Sequence, residues 1–264
     1  MNTVSPICWE PTDIDRCVVL DPDITLDAVT YRRFTDDLVK FVVEQPRAVI
    51  VRVDRMTIAT ETVLTAFTSA WLRTANWPGV PILLVAEDTE LRRRLGRSAI
   101  RRFLAVQPSV AAAVAASGEP PIRRRAAMTM ALSPVTGHRA RRLIDDVCAE
   151  WDIAEISEAA QIIATEFIDN ADLHGHFTGV PDIDVWLEYR EDLFTIAVAD
   201  PDPREAVLRE PEPGSVGRRL HGLHIVAELA SAWGCAPRWP TGKVVWATLA
   251  TARNRPLPRV PPAP

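Results

Sequence analysis

The chain has 264 residues, of which 47% are hydrophobic and 25% charged, and carries a formal net charge of -5 at pH 7. That balance gives no overall electrostatic reason to approach nucleic acid or an anionic membrane, because phosphate binding is driven by concentrated Lys and Arg. The length favours two cores over one, and no run reaches the roughly 18 uninterrupted apolar residues that a bilayer span requires.

The N-terminus lacks a basic segment followed by an apolar run, so the expected location is the cytoplasm. Cys8, Cys17, Cys148 and Cys235 are scattered without C-x-x-C spacing and read as reduced thiols. Arg16 to Leu20 is a short apolar strand signal closed by Asp21-Pro22. Asp27 to Glu44 then carries Val29, Phe34, Leu38, Phe41 and Val42 near a helical period. Ala48 to Val53 is β-branched and nearly continuous, as in a strand covered on both faces. Thr60 to Thr74 predicts a helix with Val63, Leu64, Phe67, Trp71 and Leu72 along one side. Val80 to Ala86, after the turn Trp77-Pro78-Gly79, predicts a third strand. These elements make a small α/β domain over residues 1–118.

Glu119-Pro120-Pro121 followed by Arg123-Arg124-Arg125 is polar and proline-stiffened, and a linker is expected over 119–132 with the arginines as a solvated charge run. From residue 133 the order changes. Ser133 to Trp151 and Ser157 to His174 predict long helices, the second opened by Ser157 as N-cap. Ile183 to Tyr189 and Leu193 to Ala199 predict strands joined as a hairpin through Arg190-Glu191-Asp192. A Pro-, Gly- and Arg-rich loop runs from Pro201 to about Leu220, followed by a helix from Leu223 to Trp233, a short strand near Ala236 and a last strand from Val244 to Leu249. The domain is expected over 133–252, and the proline-dominated tail 253–264 is expected to be disordered.

Glu166, Asn170 and His174 recur every four residues in an otherwise apolar helix and so share one face. A polar stripe on a surface helix is the plain reading. The other is a magnesium-nucleotide site, where Asn170 offers a hard oxygen to the ion and Glu166 deprotonates an attacking hydroxyl or water. Asp200 ends an apolar strand, where its carboxylate can accept a hydrogen bond from an adenine amino group. Gly217-Arg218-Arg219-Leu220-His221-Gly222-Leu223-His224-Ile225-Val226 is a glycine-bearing loop running into a helix, whose amides can face phosphate oxygens.

In that order and separation, residues from about Ser133 to Ala250 resemble the GHKL (Bergerat-fold) ATPases of the anti-sigma-factor serine kinase type, actinobacterial in style. Glu166-x-x-x-Asn170-Ala171 with His174-Gly175 resembles their helical box, Asp200 their adenine-reading aspartate, and Gly222-Leu223-His224-Ile225-Val226 their glycine box. Ala232-Trp233-Gly234 and Gly242-Lys243-Val244-Val245-Trp246-Ala247 resemble their closing strands. The resemblance implies a Bergerat-fold α/β sandwich binding ATP and Mg2+. Glu166 is the implied base, Asn170 the magnesium ligand, and His174, Asp200, Gly217, Arg218, Gly222 and Leu223 the nucleotide contacts. For His174, packing under the nucleotide and capping its own helix are equal alternatives. Two positions depart from the pattern: Pro201-Asp202-Pro203 stands where relatives carry glycines, removing amide donors, and Val244 replaces a threonine near the adenine.

The N-terminal half resembles a STAS domain, the fold of anti-anti-sigma factors, through Val51-Arg-Val-Asp54-Arg-Met-Thr-Ile-Ala59-Thr60-Glu61-Thr62. Thr60 is the nearest counterpart of the phospho-acceptor and Thr62 the second; Ala59 replaces the usual preceding acid, and Thr60 as a helix N-cap is the competing reading. Together the resemblances imply an ATP-binding regulator of transcriptional partner switching, a serine/threonine kinase or anti-sigma factor. Its expected partners are a sigma factor or a STAS-domain anti-anti-sigma protein, with a STAS-kinase contact in cis and a homodimer as further expectations. The alternatives are a nucleotide-binding scaffold without phosphoryl transfer and, less favoured, a GHKL hydrolase.

Overall fold

The computed structural model describes residues 7–118, 123–174, 181–190, 193–208 and 222–251. The chain divides into two compact units, Met1–Pro120 with Ala236–Trp239, and Pro121–Cys235 with Pro240–Pro264.

The first unit runs β1 (Thr12–Ile14), β2 (Cys17–Leu20), β3 (Thr25–Leu26), α1 (Tyr31–Val43), β4 (Ala48–Arg52) and β5 (Thr57–Ile58). A 3-10 helix, Glu61–Leu64, leads into α2 (Thr65–Thr74), then β6 (Ile82–Val85), α3 (Thr89–Arg97), a second 3-10 helix Ala99–Arg102, β7 (Ala105–Gln107) and α4 (Val110–Ala116). Its main sheet has the order β1-β2-β4-β6-β7. Only β1 is antiparallel to its neighbour; β2, β4, β6 and β7 are parallel. Parallel strands need crossovers that put helices on the sheet faces, which is why Ala48–Ile50 and Ile82–Val85 are continuously apolar. Cys17, Val19, Ala48, Ile50, Leu83 and Val85 form one core with Ala113, Val110 and Val114 of α4.

Expected and observed elements differ here for local reasons. Helix α1 begins at Tyr31 rather than Asp27, because the Asp27 carboxylate accepts from the amides of Val29 and Thr30 at 2.9 Å and holds a turn ahead of the helix. Trp77-Pro78 is a cis peptide followed by Gly79 at φ 66°. The short elements β1, β3, β5, α3, β7 and α4 have too few residues for hydrophobic periodicity to reveal them.

The second unit runs β8 (Arg124–Ala131), α5 (Thr136–Glu150), a 3-10 helix Ala154–Ile156, α6 (Ser157–His174), β9 (Asp182–Arg190), β10 (Leu193–Asp200), α7 (Gly222–Leu229), β11 (Ala232–Pro237) and β12 (Lys243–Ala250). The sheet order is β11-β12-β10-β9-β8, with β8, β9, β10 and β12 antiparallel. The hairpin expectation holds, since Arg190 pairs with Leu193. Ile144 and Val147 of α5, Ile163 and Phe167 of α6, and Val185, Phe194, Ile196 and Val245 of the sheet share one core. Both units are therefore mixed α/β.

Three expectations are corrected here. The linker expected over 119–132 gives way from Arg124 to strand β8, and its arginines are only in part a solvated run: Arg124 and Arg125 are exposed, but Arg123 is withdrawn from solvent, and Arg123 and Arg125 reach the buried Glu188 carboxylate at 3.3 and 3.0 Å. Ser157 does not open its helix with a capping bond; its hydroxyl donates to Asp145 at 2.6 Å, and a 3-10 turn precedes it. The helix expected to reach Trp233 stops at Leu229, and Trp233 lies in β11, because the segment from Ala232 finds a sheet edge to pair with. The tail 253–264 lies outside the described residues.

Candidate functional site

Helix α6 carries Ala160, Ile163, Ala164, Phe167, Ile168 and Ala171 into the core, and it packs against β10, β12 and α7. Glu166 and Asn170 flank that stripe one turn apart and are half-buried. Among the described residues, Asn170 keeps a buried Nδ2 with no hydrogen-bond partner. Glu166 lies against the first residue of α7: a Cβ on Gly222 would stand 2.5 Å from Glu166 Oε2. The missing side chain at Gly222 is what lets the Glu166 carboxylate lie against the start of α7. Burial raises the pKa of Glu166 above its usual 4.5, and the Asp169 carboxylate adds to the rise. A carboxyl held upward in that way is closer to the operating range of a general base.

Asp200 ends β10 on the helix-covered face. Phe194, Ile196 and Val198 point into the core under the helices, and side chains two residues apart share a face. Its register partner across the sheet is Lys243, the first residue of β12. By the same alternation Lys243 shares the face of Val245 and Ala247. The Asp200 carboxylate, 4% exposed, takes the Lys243 ammonium on Oδ1 at 2.9 Å and the Asp202 amide on the same oxygen at 2.9 Å. Lys243 also donates to the Asp202 carbonyl at 3.2 Å. Desolvation raises the Asp200 pKa, partly offset by the bond from Lys243. Asp202 moves the opposite way: the Arg204 guanidinium, bonded to it at 3.0 Å, holds its carboxyl far below the usual carboxylate range. Gly242 closes this corner at φ 117°, and a Cβ there would run into the Asp200 carbonyl oxygen.

Of the expected site residues, Glu166 and Gly222 thus meet between α6 and α7, Asn170 lies one turn further along α6, and Asp200 stands at the end of β10 on the sheet face that α6 covers. Leu223 packs against the hydrophobic core, which is where its side chain is used. His174 is the last residue of α6, its side chain outside the described structure, and Gly217, Arg218, Arg219 and His221 lie outside the described residues altogether. His224 is half-buried in the first turn of α7. In the first unit Thr60 and Thr62 are both exposed. Thr60 occupies the N-cap position of the 3-10 helix with extended backbone, φ -146°, yet its hydroxyl caps nothing. The Thr62 carbonyl accepts from the Thr65 hydroxyl at 2.7 Å.

Lys243 and Asp202 were not expected as site residues. Their roles depend on the β10-β12 register, and Lys243 read only as one residue of a closing strand. On the question of a bound nucleotide, Asn170 fits, because it supplies an unsatisfied amide donor, whereas the open side of Gly222 is taken up by the Glu166 carboxylate. Asp200 fits less simply, because one of its two oxygens already carries two donors.

No family model matches the chain, and no curated protein matches it. Solved structures similar to part of it include an anti-sigma factor antagonist from Mycobacterium paratuberculosis, 15% identical, covering 42% of this chain and 94% of that one at a TM-score of 0.34. A candidate anti-sigma factor antagonist from Thermotoga maritima is 16% identical, with 41% of this chain and 93% of that one covered, TM-score 0.34. A variant of RsbS from Moorella thermoacetica is 15% identical, with 41% and 93% covered, TM-score 0.34.

Proposed function

We propose that the chain is an ATP-binding regulator of transcriptional partner switching. A Bergerat-type second unit would bind magnesium-ATP, and a STAS-like first unit would regulate it. The observation that carries this reading is Asn170, a buried amide without a partner on the helix face where Glu166 meets Gly222. A fold that leaves a buried donor unmade bears the cost of desolvating it, and a ligand that engages this side chain would recover it. Asn170 would hold Mg2+ through Oδ1 and donate its unmade Nδ2 hydrogen bond to a phosphate oxygen, and the ion would neutralise phosphate charge. Glu166 would take the proton of a Ser or Thr hydroxyl on a STAS-domain partner as that oxygen bonds to the γ-phosphorus, the bond to the bridging oxygen breaks, and ADP leaves. Asp200 would accept from the adenine amino group through Oδ2, because Oδ1 is engaged.

A second reading, a nucleotide-binding scaffold that docks signalling proteins without phosphoryl transfer, is favoured by the Asp200–Lys243 pair, which already engages one carboxylate oxygen without a ligand. Calorimetric titration of magnesium-ATP into the wild type and into Asn170→Ala tests the site: heat with the first and none with the second supports it, and no heat with either sinks it. Incubation with γ-labelled ATP and a STAS-domain protein then separates the readings. Label on the partner supports a kinase, free phosphate a hydrolase, and binding without turnover a scaffold.

A further inference from the structure

Six arginines fall between positions 92 and 102 of a chain whose net charge is -5. They occupy α3 and the 3-10 helix after it. Two have partners within the first unit: Arg92 donates to the carbonyls of Ala86 and Glu87 at 2.6 and 3.1 Å, and Arg93 pairs with Glu90 at 2.6 Å. The carboxylate of Asp88 accepts from the Leu91 amide at 2.7 Å and caps the helix. Arg94, Arg97, Arg101 and Arg102 are exposed, and among the described residues none of them meets a carboxylate. Leu95 and Ile100 are buried and fix which side of each helix faces inward, so Arg94 and Arg97, three residues apart, project together on the outer side.

Next to Arg102 stands Phe103, 42% exposed, its ring 5.2 Å from that of Trp71 in α2. Helix C-termini favour cations, but that preference does not call for an exposed phenylalanine backed by a half-buried tryptophan beside them. Arginine with Trp and other aromatics is the composition of protein-interface anchors. A long polyphosphate would extend past the patch along a chain whose net charge is -5, whereas at physiological salt a short acidic segment senses only charges within about 8 Å.

We infer that this face docks an acidic amphipathic helix of a partner protein, its carboxylates on Arg94, Arg97, Arg101 and Arg102 and an apolar side chain on Phe103 and Trp71. Guanidinium forks match carboxylates bidentately, and the aromatic pair gives the apolar side of such a helix a place to bury. The inference does not depend on nucleotide binding by the second unit.

The test uses the full chain and three fluorescein-labelled probes: an 18-residue peptide with glutamates along one helical face and leucines along the other, poly-glutamate, and an 18-nucleotide single-stranded DNA. Anisotropy should show the amphipathic peptide binding more tightly than the other two. Replacing Arg94, Arg97, Arg101 and Arg102 together by Ala should weaken it about tenfold or more, as four exposed pairs would, with an unchanged melting temperature. Phe103→Ala should weaken the amphipathic peptide and leave poly-glutamate binding as it was. Equal peptide affinity in the wild type and the fourfold variant overturns the inference, as does no peptide binding at all. Tighter binding of DNA, lost in the same variant, overturns it too and marks a polyphosphate surface.

Discussion

At Asn170 a buried amide nitrogen without a partner costs the fold about 1–3 kcal/mol. Asn170→Ala should therefore leave the melting temperature unchanged or raise it while removing the heat of ATP binding; a large drop in melting temperature would mean that the side chain serves packing instead. Lys243 behaves in the opposite way. It neutralises a buried carboxylate, and Lys243→Met should destabilise the chain by roughly 3–5 kcal/mol, as breaking a buried pair from one side does. Removing the carboxylate as well, in Lys243→Met with Asp200→Leu, should restore much of that loss by denaturant titration. Glu166 sets a pH dependence. Its folded pKa is raised above the unfolded value, so the protonated form is preferred in the native state and its stabilisation is present below pH 4.5 and lost as pH rises through the folded pKa. Glu166→Gln should accordingly raise the melting temperature at pH 7, and the advantage should shrink as the pH is lowered toward 4.

Between elements, glycine decides two contacts with different consequences. At the α6–α7 approach the atom that a Gly222 methyl would meet is the far end of the Glu166 side chain, which can move. Gly222→Ala should change stability by less than about 1 kcal/mol and lower any phosphoryl transfer by displacing the base. At the β12 corner the obstacle is the Asp200 backbone and Gly242 is at φ 117°, so neither side can yield. Gly242→Ala should cost about 1–3 kcal/mol from conformation alone, before the clash is added, and guanidinium unfolding would register the difference between the two variants. In β9, Glu188 is buried among Arg123, Arg125 and Arg190. Those arginines read as a linker in sequence because their buried counter-ion lies on the partner strand β9, 63 to 65 positions along the chain.

Across the molecule, two α/β units with separate cores were legible from composition and from the change in element order after the proline-stiffened segment, and no helix among the described residues is long and apolar enough to cross a membrane. Residues alone also determined the long helices, the hairpin between β9 and β10, and the one-turn spacing of Glu166 and Asn170, because each rests on local periodicity. Tertiary structure alone decided the rest. The opposition of Asp200 and Lys243 is a matter of strand register, 43 positions apart in sequence; the contact of Glu166 with Gly222 is a matter of how closely two helices pack. That the Asn170 Nδ2 has no partner, and four arginines no carboxylate, among the described residues is set by what packing brings near them. Spacing along a chain fixes which side chains share an element's face, while pairing between distant elements is set by register and packing, which local sequence does not encode.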